Sequence, residues 1–392
     1  MPWRNVVRLV SALTWLTACG AHGSVPDTAP KKDAGSDTGP DAGAADGGPH
    51  GSAGTFKVFD HIPQFGVYTS SSPAGYTPPQ GVLMWSYGTV FVTQLDAEQQ
   101  ALIGSDLAAR VTYFAQCDNY DRIGDVFVIL EPKGQTPQPG DPRIELVRFI
   151  TPFSDFTEGA LATHVFPTGD LSAFASVLAD TTHVVWIGIG GGSNPYSGDP
   201  CSQLMVDGGP LFDEIGFLYS LDFVSTVPLT PGRSLVLPAF SLPSDAGPAT
   251  AISDVALTAT PIAATFNNPG GSVTGHVIVI VSGHGSGVGG DEYENTLDTV
   301  DVGASGGEVP VASFSTEIDC ASYASASPDG NPGIFQQNTS DNPRNWCPGA
   351  LVPSHVIPVT LAPGTNNVLL GIMPDQVPSG SYYQTSITFT SP

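Results

Sequence analysis

Cys117-Asp118-Asn119-Tyr120-Asp121-Arg122 sets two carboxylates, a guanidinium and an aromatic ring directly ahead of an apolar run, Val126-Phe127-Val128-Ile129-Leu130. A carboxylate steered by an arginine is suited to general acid–base chemistry. Loops held at the end of a sheet are where such groups are commonly presented. The bland alternative for Asp121 is a turn residue capping the strand that follows. A local ion pair with Asp118 or Asp121 equally accounts for Arg122. Further on lie Arg148-Phe149-Ile150-Thr151-Pro152-Phe153, Val281-Ser282-Gly283-His284-Gly285, Asp291-Glu292-Tyr293 and Arg344-Asn345-Trp346-Cys347-Pro348-Gly349, which add further acids, arginines and aromatic rings.

The elements that must position these residues are strands. Forty-six glycines and 36 prolines, with many Val, Thr, Phe and Tyr, suit short strands joined by turns. Candidate strands cover residues 56–67, 82–92, 125–130, 144–150, 183–189, 215–224 and 234–237 in the first part of the chain. Others cover 251–260, 274–282, 298–302, 355–361, 367–372 and 382–389. One helix is expected, over 94–110. Gly/Pro/Asn/Asp clusters between strands give the pattern of an all-β antiparallel sandwich or jelly roll. About 340 folded residues exceed what one hydrophobic core supports. The proline-rich Val227-Pro228-Leu229-Thr230-Pro231-Gly232 is the expected boundary, giving domains 55–227 and 228–392.

Arg4 and Arg8, an apolar run to Leu16 and then Leu16-Thr17-Ala18-Cys19 form a lipoprotein signal peptide, residues 1–19. Cys19 is the expected lipidation site, the alternative being a plain secretory peptide. The apolar run falls short of the about twenty residues a spanning helix needs. Residues 20–54, rich in Gly, Ala, Asp and Pro, cannot bury enough apolar surface to order themselves and read as a disordered tether. The expected location is the bacterial cell envelope, with the membrane engaged through the lipid anchor only and the leaflet left open.

A net charge of −25 with only 12 Lys plus Arg argues against nucleic acid or an anionic surface as partner. No cofactor and no metal are expected, since C-x-x-C and H-x-x-x-H spacings are missing and the eight histidines are scattered. Four cysteines besides Cys19 suit disulfides in an exported protein. Their number allows three pairings; Cys320 with Cys347 is preferred.

The islands at 117–122 with 148–152, at 281–285 with 291–293, at 320 with 344–349, and at 381–389 follow one another in the order that resembles the bacterial peptide N-glycosidase F family, amidases that remove N-linked glycans. The resemblance covers most of the chain from about residue 110 onward and is poor over 55–110. It implies two antiparallel jelly rolls packed side by side, a cleft between them, a monomer and no metal. The implied partner is an N-linked glycoprotein or glycopeptide. The implied reaction is hydrolysis of the amide joining Asn to N-acetylglucosamine. Asp121 stands where the family has its principal catalytic aspartate, Glu292 where it has a supporting glutamate, and Arg344 where it has an arginine near the reacting centre. Tyr120, Arg122, Phe153, His284, Tyr293 and Trp346 are the candidate substrate-binding residues, each aromatic being equally explicable as core or rim. The chain also departs from the family. A third acid, expected ahead of a tryptophan on a first-domain strand, is missing from Val184-Val185-Trp186-Ile187-Gly188-Ile189-Gly190. Thr112 replaces one family cysteine, and Gly290 and Glu294 replace two more. Cys117 is then free or bridged elsewhere, with Cys201 as the candidate. A non-catalytic glycan-binding lipoprotein is the alternative function; copper-oxygenase, serine-hydrolase and nucleotide-binding readings lack their ligand spacings or motifs.

Overall fold

The computed structural model describes residues 53–65, 76–116, 118–154, 163–191, 215–229, 235–240, 252–253, 261–284, 297–330, 332–336, 344–372 and 382–391. The first half contributes β1 (Thr55–Gln64), β2 (Val82–Trp85), β3 (Val90–Gln94), β4 (Ala108–Ala115) and β5 (Ile123–Glu131). It continues with β6 (Ile144–Ile150), β7 (Thr163–Val165), β8 (Gly169–Asp170), β9 (Val184–Gly190) and β10 (Phe217–Val224). The second half contributes β11 (Leu235–Phe240), β12 (Ile252–Ser253), β13 (Ile262–Asn268), β14 (Val273–His284) and β15 (Leu297–Ala304). It ends with β16 (Val309–Ser315), β17 (Leu351–Val352), β18 (Ser354–Leu361), β19 (Gly364–Ile372) and β20 (Tyr382–Ser391).

These strands pair antiparallel into four sheets. One runs β1-β10-β4-β7, with β8 also on β4, and faces a six-stranded sheet ordered β17-β6-β5-β9-β3-β2. The other two run β11-β20-β14-β18, with β12 on β20, and β13-β19-β15-β16. Each facing pair encloses its own apolar core. Phe91, Val111, Tyr113, Phe149, Ile187, Phe217 and Tyr219 fill the first. Phe266, Val279, Val300, Leu370 and Phe389 fill the second. Residues 47–392 form a single compact unit. The all-β antiparallel jelly-roll expectation is met.

Alternation explains most strands. Positions of β4 alternate half-buried and buried throughout, and those of β13 buried and exposed, as a sheet with one wet face requires. β6 is buried at every position, because its sheet has the first core on one face and the second half of the chain on the other. Joining that sheet's edge is β17, whose Leu351 and Val352 pair with Phe149 and Arg148.

The helix expected over 94–110 is corrected. Only α1 (Ala97–Ala101) forms, capped by Asp96 in a reciprocal box with Gln99. Beyond it Gly104-Ser105-Asp106 breaks the helix, and the next segment becomes β4, where Val111, Tyr113 and Ala115 alternate into the core. Six strands are additional to the expected set: β4, β7, β8, β13, β16 and β17. Among the described residues no helix is long and apolar enough to cross a membrane. The lipobox and residues 20–52 of the tether lie outside them.

Candidate active site

The loop ahead of β5 is held from three directions. Asp118 is buried and accepts both the Nε and Nη2 hydrogens of Arg122, at 2.8 and 3.1 Å. The Tyr120 N–H also donates to Asp118, and the Asp118 N–H donates to the Gly216 carbonyl. From β6's extension, Thr151 accepts the Arg122 N–H on its Oγ1 at 2.6 Å, gives its hydroxyl proton to the Tyr120 carbonyl and donates its own N–H to the Arg122 carbonyl. Asp118 is therefore the structural acid of the pair, and Arg122 is its partner. Asp121 sits half-buried between two pinned neighbours.

Beside Asp121 stands an open aromatic wall. Tyr120 is 45% exposed, meets Phe153 edge to face at 5.4 Å and carries the Arg122 guanidinium 5.0 Å from its ring centre. Phe153 is held by the second half: its N–H donates to Ser327 Oγ and its carbonyl accepts from the Asp329 N–H. That segment is fixed by the disulfide joining Cys320 to Cys347, the pairing preferred from the sequence. Past Cys347, Gly349 turns the chain at a φ of +85°, which favours glycine. Its N–H then donates to the Ile150 carbonyl and its carbonyl binds His164.

A buried polar network joins the two halves next to this loop. Arg148 pairs with Glu145 through two hydrogen bonds of 2.8 and 2.7 Å, then reaches across to Ser282 Oγ at 2.9 Å and the Gln384 carbonyl at 2.6 Å. Arginine can only donate, so Ser282 accepts from it and turns its own proton to His284 Nε2, 2.8 Å away. His284 stacks on Trp346 at 5.6 Å, Trp346 donates its indole N–H to the Gly283 carbonyl at 2.7 Å, and Arg344 lies 4.0 Å over the Trp346 ring. Ile123, Ile150, Ile280, Trp346 and Val352 close the junction with an apolar patch.

Burial, with the Arg148 and Arg344 charges, pushes His284 from 6.5 down to about 3, so it is held neutral. An unfolded chain takes up a proton there below about 6.5 and the folded one does not. Stability from this residue is thus complete above about 6.5 and is lost as the pH falls toward 3, at up to about 1.4 kcal/mol per pH unit. His355 and His164, also shifted down by burial, act in the same direction. The expected result is that His284→Gln melts with a shallower decline than wild type between about pH 6 and pH 4, read from Tm against pH.

The structure brings Asp121, Tyr120, Arg122 and Phe153 together. His284 and Trp346, candidates for sugar contact, are corrected: they are 5% and 3% exposed and offer no open face. His284 is also the last residue of β14 rather than a loop residue. Arg344 is fully buried, with its guanidinium over the Trp346 ring. Glu292, Tyr293, Cys117 and Cys201 lie outside the described residues. Sequence reasoning named Arg148 in an island but gave it no role, and it missed Glu145. It noted that the stretch Val184–Gly190 carries no acid; within it Gly188 has no room for a side chain, since a Cβ there would run into the Phe127 ring. Among the described residues no group of three or more His, Cys, Asp or Glu side chains is placed to hold a metal ion.

Residues 252–390 match the family model described as peptide-N-glycosidase F, C terminal. Among solved structures, PNGF-II superposes with a TM-score of 0.62 at 18% identity, over 86% of this chain and 65% of that one. The chain thus spans under two thirds of PNGF-II. PNGase F, a glycosylasparaginase from Flavobacterium meningosepticum, superposes with a TM-score of 0.52 at 16% identity, over 86% of this chain and 94% of that one. No curated protein matches the sequence. Residues 252–390 thus carry the C-terminal region of the peptide-N-glycosidase F family, and the chain as a whole shares the fold of these structures over most of its length.

Proposed function

We propose that this protein is an amidase that hydrolyses the bond between asparagine and N-acetylglucosamine in N-glycoproteins or N-glycopeptides. The observation that carries the reading is the placement of Asp121: half-buried, in a loop pinned by Thr151 and Asp118, beside the exposed Tyr120 ring. An amide resists water because its carbonyl is resonance-stabilised and its nitrogen leaves poorly. The Asp121 carboxylate takes a proton from a water whose oxygen adds to the side-chain carbonyl carbon. The carbon–nitrogen bond then breaks as a proton reaches nitrogen, leaving aspartate and a glycosylamine. Glu292, from sequence position alone, is the supporting acid, and Tyr120, Phe153 and Arg122 receive the sugar. Arg344 is a positioning residue.

The test is mass spectrometry of an N-glycopeptide incubated with the full-length chain in oxygen-18 water, with Asp121→Asn alongside. Wild-type conversion of the glycosylated asparagine to labelled aspartate supports the amidase; intact glycopeptide in the presence of folded protein rejects it. One observation favours a second reading, a non-catalytic glycan-binding protein: Val184–Gly190, the stretch that corresponds to the family's third acid, carries none. Glycopeptide binding that saturates without turnover distinguishes it.

Surface anchoring through Cys19 belongs to the same proposal, supported by the Leu16-Thr17-Ala18-Cys19 pattern. Cys19→Ser is expected to move the protein from the membrane to the soluble fraction, and a membrane-bound variant would contradict the anchor.

A further inference from the structure

The even-numbered residues of β14 face the first half of the chain. At one end Ser282 and His284 enter the buried network, and Ile280 packs against Ile150, Trp346 and Val352. Beyond that apolar plug the two halves part again. There Ile278 and His276 line a cavity of about 320 Å³ whose opposite wall is the segment following β8. A second cavity of about 180 Å³ shares Asp170 and Ser354 with it and extends the space toward Ile280 and Leu351.

We propose that this groove is a second ligand site, separate from Asp121, for a neutral oligosaccharide. Its polar lining is Asp170, Ser172, Ser176, His276, Ser354 and Thr390, and among the described residues no lysine or arginine borders it. A phosphate, sulfate or carboxylate ligand therefore meets no permanent positive charge there. Asp170 is fixed by the Ser172 N–H, which donates to its Oδ1 at 2.9 Å. The apolar part is chiefly Val356, which is 47% exposed, with only the edges of the core residues Phe174 and Ile278 reaching the cavity. A pyranose ring carries both matching surfaces: hydroxyls around its edge for the carboxylate, imidazole and serines, and a C–H face for the apolar floor. The main cavity lies at the lower end of the about 300–1,000 Å³ range of small-ligand sites. The shared Asp170 and Ser354 make it continuous with the next cavity, which suits linked sugar units over a single one. Both walls belong to different halves, so the site exists only once they are assembled. It binds sugar without needing an amide bond, and so stands whether or not the chain is an amidase.

The experiment is isothermal titration of the full-length chain with free trimannosyl-chitobiose pentasaccharide. Ser354→Phe fills the groove and His276→Ala removes one of its polar groups; neither touches the Asp121 loop. Each is expected to weaken the binding measured for wild type by tenfold or more, while leaving glycopeptide turnover or binding at the Asp121 site unchanged. Thermal melting establishes that the variants are folded, and His276→Ala decides the matter if Ser354→Phe is not. No binding by wild type, an isotherm unaffected by the folded variants, or binding abolished by Tyr120→Ala in place of the groove substitutions would each overturn the proposal.

Discussion

Asp121→Asn is expected to lower the rate of glycopeptide hydrolysis by about 10²- to 10⁴-fold, the usual contribution of a positioned general acid–base group, with little change in melting temperature. The two parts of that expectation come from different contacts. Asparagine matches aspartate in shape, so the loop keeps every bond described above: the Asp118–Arg122 pair, the Thr151 clamp and the Asp118 N–H to Gly216. What it cannot do is accept a proton from water at neutral pH. The oxygen-18 assay measures the product directly, and thermal melting measures the fold. A variant that hydrolyses within a few-fold of wild type would remove Asp121 from the mechanism and leave it as a turn residue.

Arg148→Met is expected to cost about 3–5 kcal/mol of unfolding free energy, as breaking one side of a buried ion pair does. Arg148 is 1% exposed and Glu145 is 2% exposed, so the surviving carboxylate stays in the interior without its cation. The Ser282 hydroxyl and the Gln384 carbonyl lose their donor at the same time. Adding Glu145→Gln is expected to recover part of the loss, since the uncompensated charge is then gone. Urea unfolding of the two single variants and the double variant reads this out. If Arg148→Met unfolds within 1 kcal/mol of wild type, the network does not hold the halves together and the apolar patch around Ile280 does.

How far the sequence reveals this molecule depends on how local the cause is. The period of two in Val277, Val279 and Val281 is visible as a strand without any structure. The Asp118–Arg122 spacing likewise suggests a local pair, although not which acid. β4 misleads because Ala108-Ala109-Arg110 continues an Ala/Leu/Gln-rich stretch with good helix formers. Tertiary burial of Val111 and Tyr113 decides the outcome instead. Trp346 and His284 look like ligand contacts because aromatic rings serve both roles; only the packing of β6 against β14 assigns them to the interior. The Glu145–Arg148 pair is the least legible. Residues three apart in a regular strand point to opposite faces. A register shift between β5 and β6, where Val126 meets Val147 but Phe127 meets Glu145, returns both to one face. No pattern in the sequence announces that extra residue.

The return of Leu351–Val352 to the edge of a sheet built from residues before 191 has a consequence for synthesis. The last strand of the first half, β10, ends at Val224, so roughly 130 further residues must be translated before β6 gains its outer neighbour, about 6–26 s at 5–20 residues per second. During that interval Phe149 and Arg148 occupy an unpaired edge, open to pairing with any other extended chain. Truncation anywhere between 225 and 350 is expected to leave that edge bare for good.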